Sequence, residues 1–143
     1  MNSEKQLVLD FIDAVWNKQR TDLLMDFVGE NYVDHSLPPG FPEGAKGTKM
    51  WIAATSKSFQ HSTTIEHMIS EGNKVCIRVS MKLQHIGEWR GHAATGVAVT
   101  AGGFRFFELV NGRISQQWAL IDGNRIEEAI AGAGDAHGCR LAI

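Results

Sequence analysis

Cysteine is almost missing from this chain. Cys76 and Cys139 are the only two, and they stand far apart. That excludes a disulfide framework and a cysteine knuckle for a metal, and it makes a reducing, cytoplasmic setting the default expectation. Basic residues never run beyond two in a row and the net charge is −2, so the electrostatic footprint of a nucleic-acid partner is lacking. Apolar runs are too short to span a bilayer, and the N-terminus is polar and charged rather than signal-like, so no membrane partner is expected. The histidines lack close ligand spacing: His61 and His67 are six apart, His85 and His92 seven apart. A metal site is therefore not expected. No glycine-rich phosphate loop opens a helix after a strand, and no Gly-x-Ser-x-Gly elbow occurs. What these absences leave is cofactor-free acid–base chemistry or plain binding of a small molecule.

The residues present describe one domain over 1–131, followed by a glycine-rich tail over 132–143. Ser3 and Gln6 read as a capping box, and Leu7, Val8, Phe11, Ile12, Val15 and Trp16 recur at helical spacing as far as Asn17. Thr21 caps a second, shorter helix with Leu23, Leu24, Phe27 and Val28 inward, stopped by Gly29. All three prolines crowd into the stretch from Asn31 to Gly47, which reads as an irregular loop or lid. Thr48 is placed to cap a third helix carrying Trp51, Ala54, Thr55, Ser58 and Phe59.

From there the period changes to two. Ile65, His67 and Ile69 alternate with Thr64, Glu66 and Met68. In the clearest strand, Val75, Ile77, Val79, Met81, Leu83 and His85 share the buried face, with Arg78 and Lys82 opposite. Thr95–Thr100 begins another strand, Gly102-Gly103 marks a bulge or bend, and Asn111-Gly112 is a two-residue hairpin signal. The last arm then carries Ile114, Gln116, Trp118, Leu120 and Asp122 on one face. A helical turn over Glu127–Ile130 precedes a tail expected to be poorly ordered after Ala131. Three helices followed by long antiparallel strands is an α+β plan, with a curved sheet whose helix-covered concave side leaves a pocket.

The polar groups able to meet in such a pocket are His35, His67, His85, Gln116 and Asp122, with Tyr32 and Arg105 beside them. A carboxylate ending an apolar stripe loses hydration and gains basicity, which is how a general base is made. Asp122 also has a plainer reading, as a strand-end residue or the N-cap of the helix that follows. His85, likewise, suits a hydrogen-bonded core histidine as well as a catalyst.

Asp34-His35 before a Pro/Gly loop, Glu71-Gly72-Asn73-Lys74-Val75, Gln84-His85-Ile86-Gly87-Glu88-Trp89 with Gly91, Ala94-Thr95-Gly96, Phe104-Arg105, Asn111-Gly112-Arg113-Ile114 and Trp118-x-x-x-Asp122 occur in that order. The succession, over about residues 5–130, resembles the SnoaL-like polyketide cyclases of the nuclear-transport-factor-2-like superfamily. The resemblance implies a conical, cystatin-like α+β barrel, often a homodimer through the outer sheet face, and a small hydrophobic molecule in the pocket. It further implies an aldol ring closure without metal or cofactor, with Asp122 as acid–base and His35 and His85 assisting. Trp118, Gln116, Tyr32, His67 and Arg105 are then the ligand-binding set. One departure stands out: Phe59-Gln60-His61 replaces the family's usual Phe-Pro-Asp. Epoxide hydrolysis would need two inward aspartates around an arginine, a ketosteroid-isomerase-like site would rely on the sole tyrosine, Tyr32, and a non-catalytic binding protein would need neither. The face carrying Cys76, Ser80, Gln84, Gln117 and Ala119 is too neutral and small for a solvated surface and is expected to meet a second copy.

Overall fold

Interruptions of strand register in the first, second and last strands decide where several of the candidate residues end up. The computed structural model describes residues 2–137; Cys139 and the far end of the expected tail lie outside them. Helix α1 (Ser3–Phe11) is capped by Asn2, whose side chain accepts from the Lys5 N–H at 2.8 Å. The capping residue is thus one earlier than the Ser3 box predicts. Its apolar stripe continues through a π-helical segment, Ile12–Asn17, that buries Ile12, Val15 and Trp16. Such wide turns occur often at functional sites. Asn17 then grips the edge of the sheet, donating to the Thr63 carbonyl at 2.9 Å and accepting its N–H at 2.7 Å.

The second helix is shorter than its pattern suggests. A 3-10 turn leads into α2 (Leu24–Phe27), and Val28 already begins strand β1 (Val28–Asp34). Residues 31–34, read from sequence as loop, belong to that strand because β1 pairs in parallel with the last strand, which satisfies its backbone groups. The irregular segment starts only at His35. Helix α3 (Ala45–Ser58) follows, with Gly44 rather than Thr48 at its N-cap, and Thr48 is buried.

Strands β2 (Phe59–Glu71), β3 (Lys74–His85), β4 (Ala98–Val110) and β5 (Arg113–Ile121) are antiparallel neighbours, giving the order β1-β5-β4-β3-β2. The sheet is curved but unclosed, a mixed α+β architecture with the N-terminal helices on its concave side. On β3 the period-two expectation holds throughout: Val75 to His85 alternate as buried residues and Lys82 is exposed opposite them. On β5 it fails. Glu108 pairs with Gln116 but Leu109 pairs with Ile114, so Ser115 is an extra residue. A bulge sets two residues against one and shifts the phase. Gln117 is fully buried as a result, while Trp118 and Leu120 are exposed. Gln117 therefore does not share the outer face with Cys76, Ser80 and Gln84 as the alternation predicts. A second bulge in β2, between Ile65 and His67, moves His67 and Ile69 outward in the same way.

Helix α4 spans Gly123–His137, well past the turn expected at Glu127–Ile130 and past Ala131, where disorder was expected. It seats Ile126 and Ile130 on a second apolar cluster with Phe59, Met81, Leu83, Val99 and Ala101. The first cluster, under α1, holds Phe11, Trp16, Ile77, Phe107 and Ile114. Gly103 pairs with Ile121 across β4 and β5, and an added Cβ would lie 2.5 Å from the Leu120 carbonyl oxygen and from Ile121 Cδ1. Gly103→Ala should therefore lower unfolding free energy by about 1–3 kcal/mol, the usual range for overpacking. Urea denaturation measures it, and an unchanged midpoint would mean that the strands part without cost.

Candidate functional site

Between the two apolar clusters lies a cavity of about 440 Å³, a size suited to a small organic ligand. Trp16, Trp51 and Trp89 supply much of its wall, with Ala54, Thr55 and Ser58 from α3, Phe59, Met81, Leu83 and Ile121 from the sheet, and Ile126 from α4. Only two charged side chains line it, Arg105 and Arg90, and among the described residues neither a carboxylate nor an imidazole does.

Arg105 is 5% exposed on the concave face of β4. Its neighbours Phe104 and Phe106 point outward, 55% and 36% exposed. A buried guanidinium flanked by solvent-facing aromatics inverts the usual partition, and such inversions are the informative ones. Its Nη1 donates to Gln117 Oε1 at 3.1 Å, and the guanidinium carbon stands 4.4 Å over the Trp16 ring. Burial lowers its pKa, opposed by Asp34 and Tyr32, yet an arginine stays charged through any ordinary shift.

Behind Arg105 is a polar network. Gln117 Nε2 donates to the Tyr32 hydroxyl at 2.7 Å and more weakly to Asp34 Oδ2 at 3.3 Å. Thr48 Oγ1 donates to the same carboxylate oxygen at 3.1 Å, and the Tyr32 hydroxyl stands 3.1 Å from Thr48 Oγ1 and 3.4 Å from Asp34 Oδ2. The Ser36 N–H donates to Asp34 Oδ1 at 3.0 Å. Both Asp34 oxygens thus act as acceptors, and the Gln117 amide joins that carboxylate to the cation. His61, half-buried beside Trp16, has its pKa lowered by burial and by Arg105.

The expected site residues separate. Tyr32 and Arg105 come together through Gln117 on the concave side. His35, Gln116 and Trp118 also meet, but on the face turned away from the helices. The His35 ring stacks on Trp118 at 4.6 Å, and its Nε2 donates to Gln116 Oε1 at 2.8 Å while Gln116 donates to Glu108. His67 accepts from Arg78 at 3.0 Å on that same outer face. His85 is inward, as its register predicts, and fully buried. Its Nδ1 accepts the Thr95 N–H at 3.2 Å, leaving the proton on Nε2, and Phe59 packs against the ring. The Asp122 carboxylate is exposed and accepts the Arg125 N–H at 3.1 Å. Its side chain is the N-cap of α4, the plainer of its two readings, although Ile121 and Gly123 on either side of it line the cavity.

The residues the sequence pattern passed over are Trp16, Asp34, Thr48, Trp89, Arg90 and Gln117. Asp34 was within reach, since it stands two positions from Tyr32 on one strand face. Gln117 was hidden by the Ser115 bulge. At the mouth, Arg90 stacks over Trp89 at 4.3 Å and pairs with Glu127 of α4 at 3.0 Å, strapping the connection after β3 to that helix.

The family model described as SnoaL-like polyketide cyclase matches residues 6–130, and the chain belongs to that family. Among solved structures, TsrD from Streptomyces laurentii superposes with a TM-score of 0.79 at 22% identity, over 90% of this chain and 94% of that one. IdmH from Streptomyces antibioticus gives 0.81 at 18%, over 91% and 99%. A SnoaL-like polyketide cyclase from Agrobacterium tumefaciens gives 0.74 at 19%, over 90% and 98%. At these identities the likeness is one of fold. No curated protein matches the chain.

Tyr32 provides a test of the network. Burial, and then the neighbouring Asp34 charge, push its pKa well above the ordinary value. A raised folded pKa contributes stability that is complete below the unfolded value of about 10 and is lost as pH climbs beyond it. Because Tyr32 is the only tyrosine, the near-ultraviolet phenolate band should appear only together with unfolding in an alkaline titration. A phenolate band in still-folded protein near the ordinary tyrosine pKa would refute the network.

Proposed function

We propose that the chain takes a small, largely apolar carbonyl compound into the cavity and promotes ring closure or isomerisation through its enolate, without a cofactor. The observation that carries this reading is Arg105, a buried cation at the wall of a largely apolar cavity. As a carbonyl α-carbon loses its proton, negative charge gathers on oxygen. A preorganised cation in a dry site stabilises that charge more in the transition state than in the ground state. Family membership supports a cyclase- or isomerase-type role. Epoxide hydrolysis is less well served, because Asp34 is the single aspartate tied to Arg105, and only through Gln117.

A second reading, binding without turnover, is favoured by the outward Asp122 carboxylate and by the lack of any carboxylate in the cavity lining. Intramolecular aldol closure of a diketone distinguishes the two. Arg105→Met should lower turnover about a hundredfold or more, while a neutral apolar ligand is still taken up. Asp122→Asn retains an N-cap side chain and should leave turnover within a factor of about two, since asparagine caps as well as aspartate. Lost turnover in Asp122→Asn alone would return the acid–base role to that residue; no turnover in the parent protein would favour the binding reading.

We also propose a homodimer through the outer sheet face, where Phe104, Phe106, Trp118 and Leu120 are exposed together on β4 and β5. A contiguous apolar strip on a sheet is more than a solvated face needs. Sedimentation should give a dimer at micromolar concentration and a monomer for Phe104→Glu/Leu120→Glu. A parent protein that sediments as a monomer would sink the idea.

A further inference from the structure

We propose that His67 makes the outer sheet face pH-sensitive, holding a second copy of the chain at neutral pH and releasing it in acid. This rests on the proposed homodimer and specifies how that contact is regulated.

The hydrogen bond of His67 is the first observation. Arg78 Nε donates to His67 Nδ1 at 3.0 Å. An arginine has donors only, so the roles cannot be exchanged, and Nδ1 must keep its lone pair. The ring is therefore neutral, with its proton on Nε2. Protonation fills Nδ1, breaks the bond and leaves two cations in contact. Among the described residues this is the one side-chain hydrogen bond that Arg78 makes, so the guanidinium is then set loose. His35 differs. It donates from Nε2 to Gln116, a bond that a charged ring also makes, and it lies stacked on Trp118, a favourable partner for a cation.

Position in the sheet is the second observation. His67 pairs with Arg78, Arg78 with Phe104, and Phe104 with Leu120, so the four stand in one row across β2, β3, β4 and β5. Ile69, Cys76, Phe106 and Trp118 form the next row. The His67–Arg78 pair thus borders the apolar strip on which the second copy is proposed to sit. Arg78 also lines an open groove with Phe104, Leu120 and Asp122. A two-fold contact presents the same strip from both copies, so each dimer carries the pair twice.

Few charges stand by to compensate. From β3 the charged group facing His67 is Arg78, and on β2 itself the neighbouring Glu66 is exposed at the bulge. The helices pack on β2 from the concave side, where His61 meets Ser56 and Trp16. Asp122, in the same groove as Arg78, caps α4. Among the described residues no carboxylate forms an ion pair with His67 or Arg78. In the monomer the exposed ring takes its proton in water at little cost. In the dimer the two cations lie against an apolar surface. Dissociation therefore takes up protons, so the dimer is favoured above the range in which imidazole titrates and is lost as pH falls through it.

Sedimentation at constant ionic strength, at about pH 7.5 and about pH 5.5, brackets that range. The dimer Kd of the wild-type chain should rise about tenfold or more in acid, as like charges brought together at an interface require. His67→Gln keeps an acceptor for Arg78 without a titrating group, and its Kd should stay within a factor of about two. Circular dichroism on the same samples separates release of a folded monomer from acid unfolding. An unchanged wild-type Kd overturns the inference, as does dissociation that coincides with unfolding; neither result needs the variant. A full shift retained in His67→Gln overturns it too, by placing the titration at another group. A wild-type chain that is monomeric at both pH values removes the homodimer itself, a result distinct from a dimer indifferent to pH.

Discussion

A guanidinium buried on the concave side of a sheet is the constraint to which the rest of this structure answers. Taking such a charge out of water costs several kcal/mol even after relaxation. Three features offset that cost for Arg105: the Gln117 amide on Nη1, the Trp16 face at 4.4 Å, and Asp34 one hydrogen bond further away. A charged hydrogen bond contributes about 1.5–3 kcal/mol and a desolvated cation–π contact about 2. These are of the same order as the penalty, so none of the three is dispensable. The amide is essential in a second sense. Its oxygen faces the cation and its nitrogen faces the acceptors, so its orientation is fixed from both ends.

The network exists only because β5 carries an extra residue. Without the bulge at Ser115, strict alternation from Ile114 would turn Gln116 inward and Gln117 out. The inward stripe of β3 was legible because no bulge interrupts it, and apolar residues at every second position leave one solution. On β2 and β5 the same rule, applied with equal force, put His67, Gln116, Trp118 and Asp122 on the wrong face. A bulge needs no particular residue and so leaves no mark at the level of pattern. Motif order identified the family and the α+β plan because it depends on succession along the chain. The placement of side chains depends on phase, which a single extra residue resets. Arg105 survived because it lies outside the shifted segments of β4 and β5, whereas Tyr32 is inward although it lies within the register shift between Val28 and Val33 of β1.

The outward phase has consequences of its own. Trp118 and Asp122 are four apart and share a face when the strand between them is regular. With Trp118 directed outward under the His35 ring, the Asp122 side chain follows it to the outside, and there it caps α4. The cap places Gly123 at the rim of the cavity, where a Cβ would lie 2.8 Å from Arg90 Nη2. A larger residue at that position would displace Arg90 from Trp89 and strain its reach to Glu127. By capping α4, Asp122 fixes where that helix begins and so where Glu127 stands to meet Arg90.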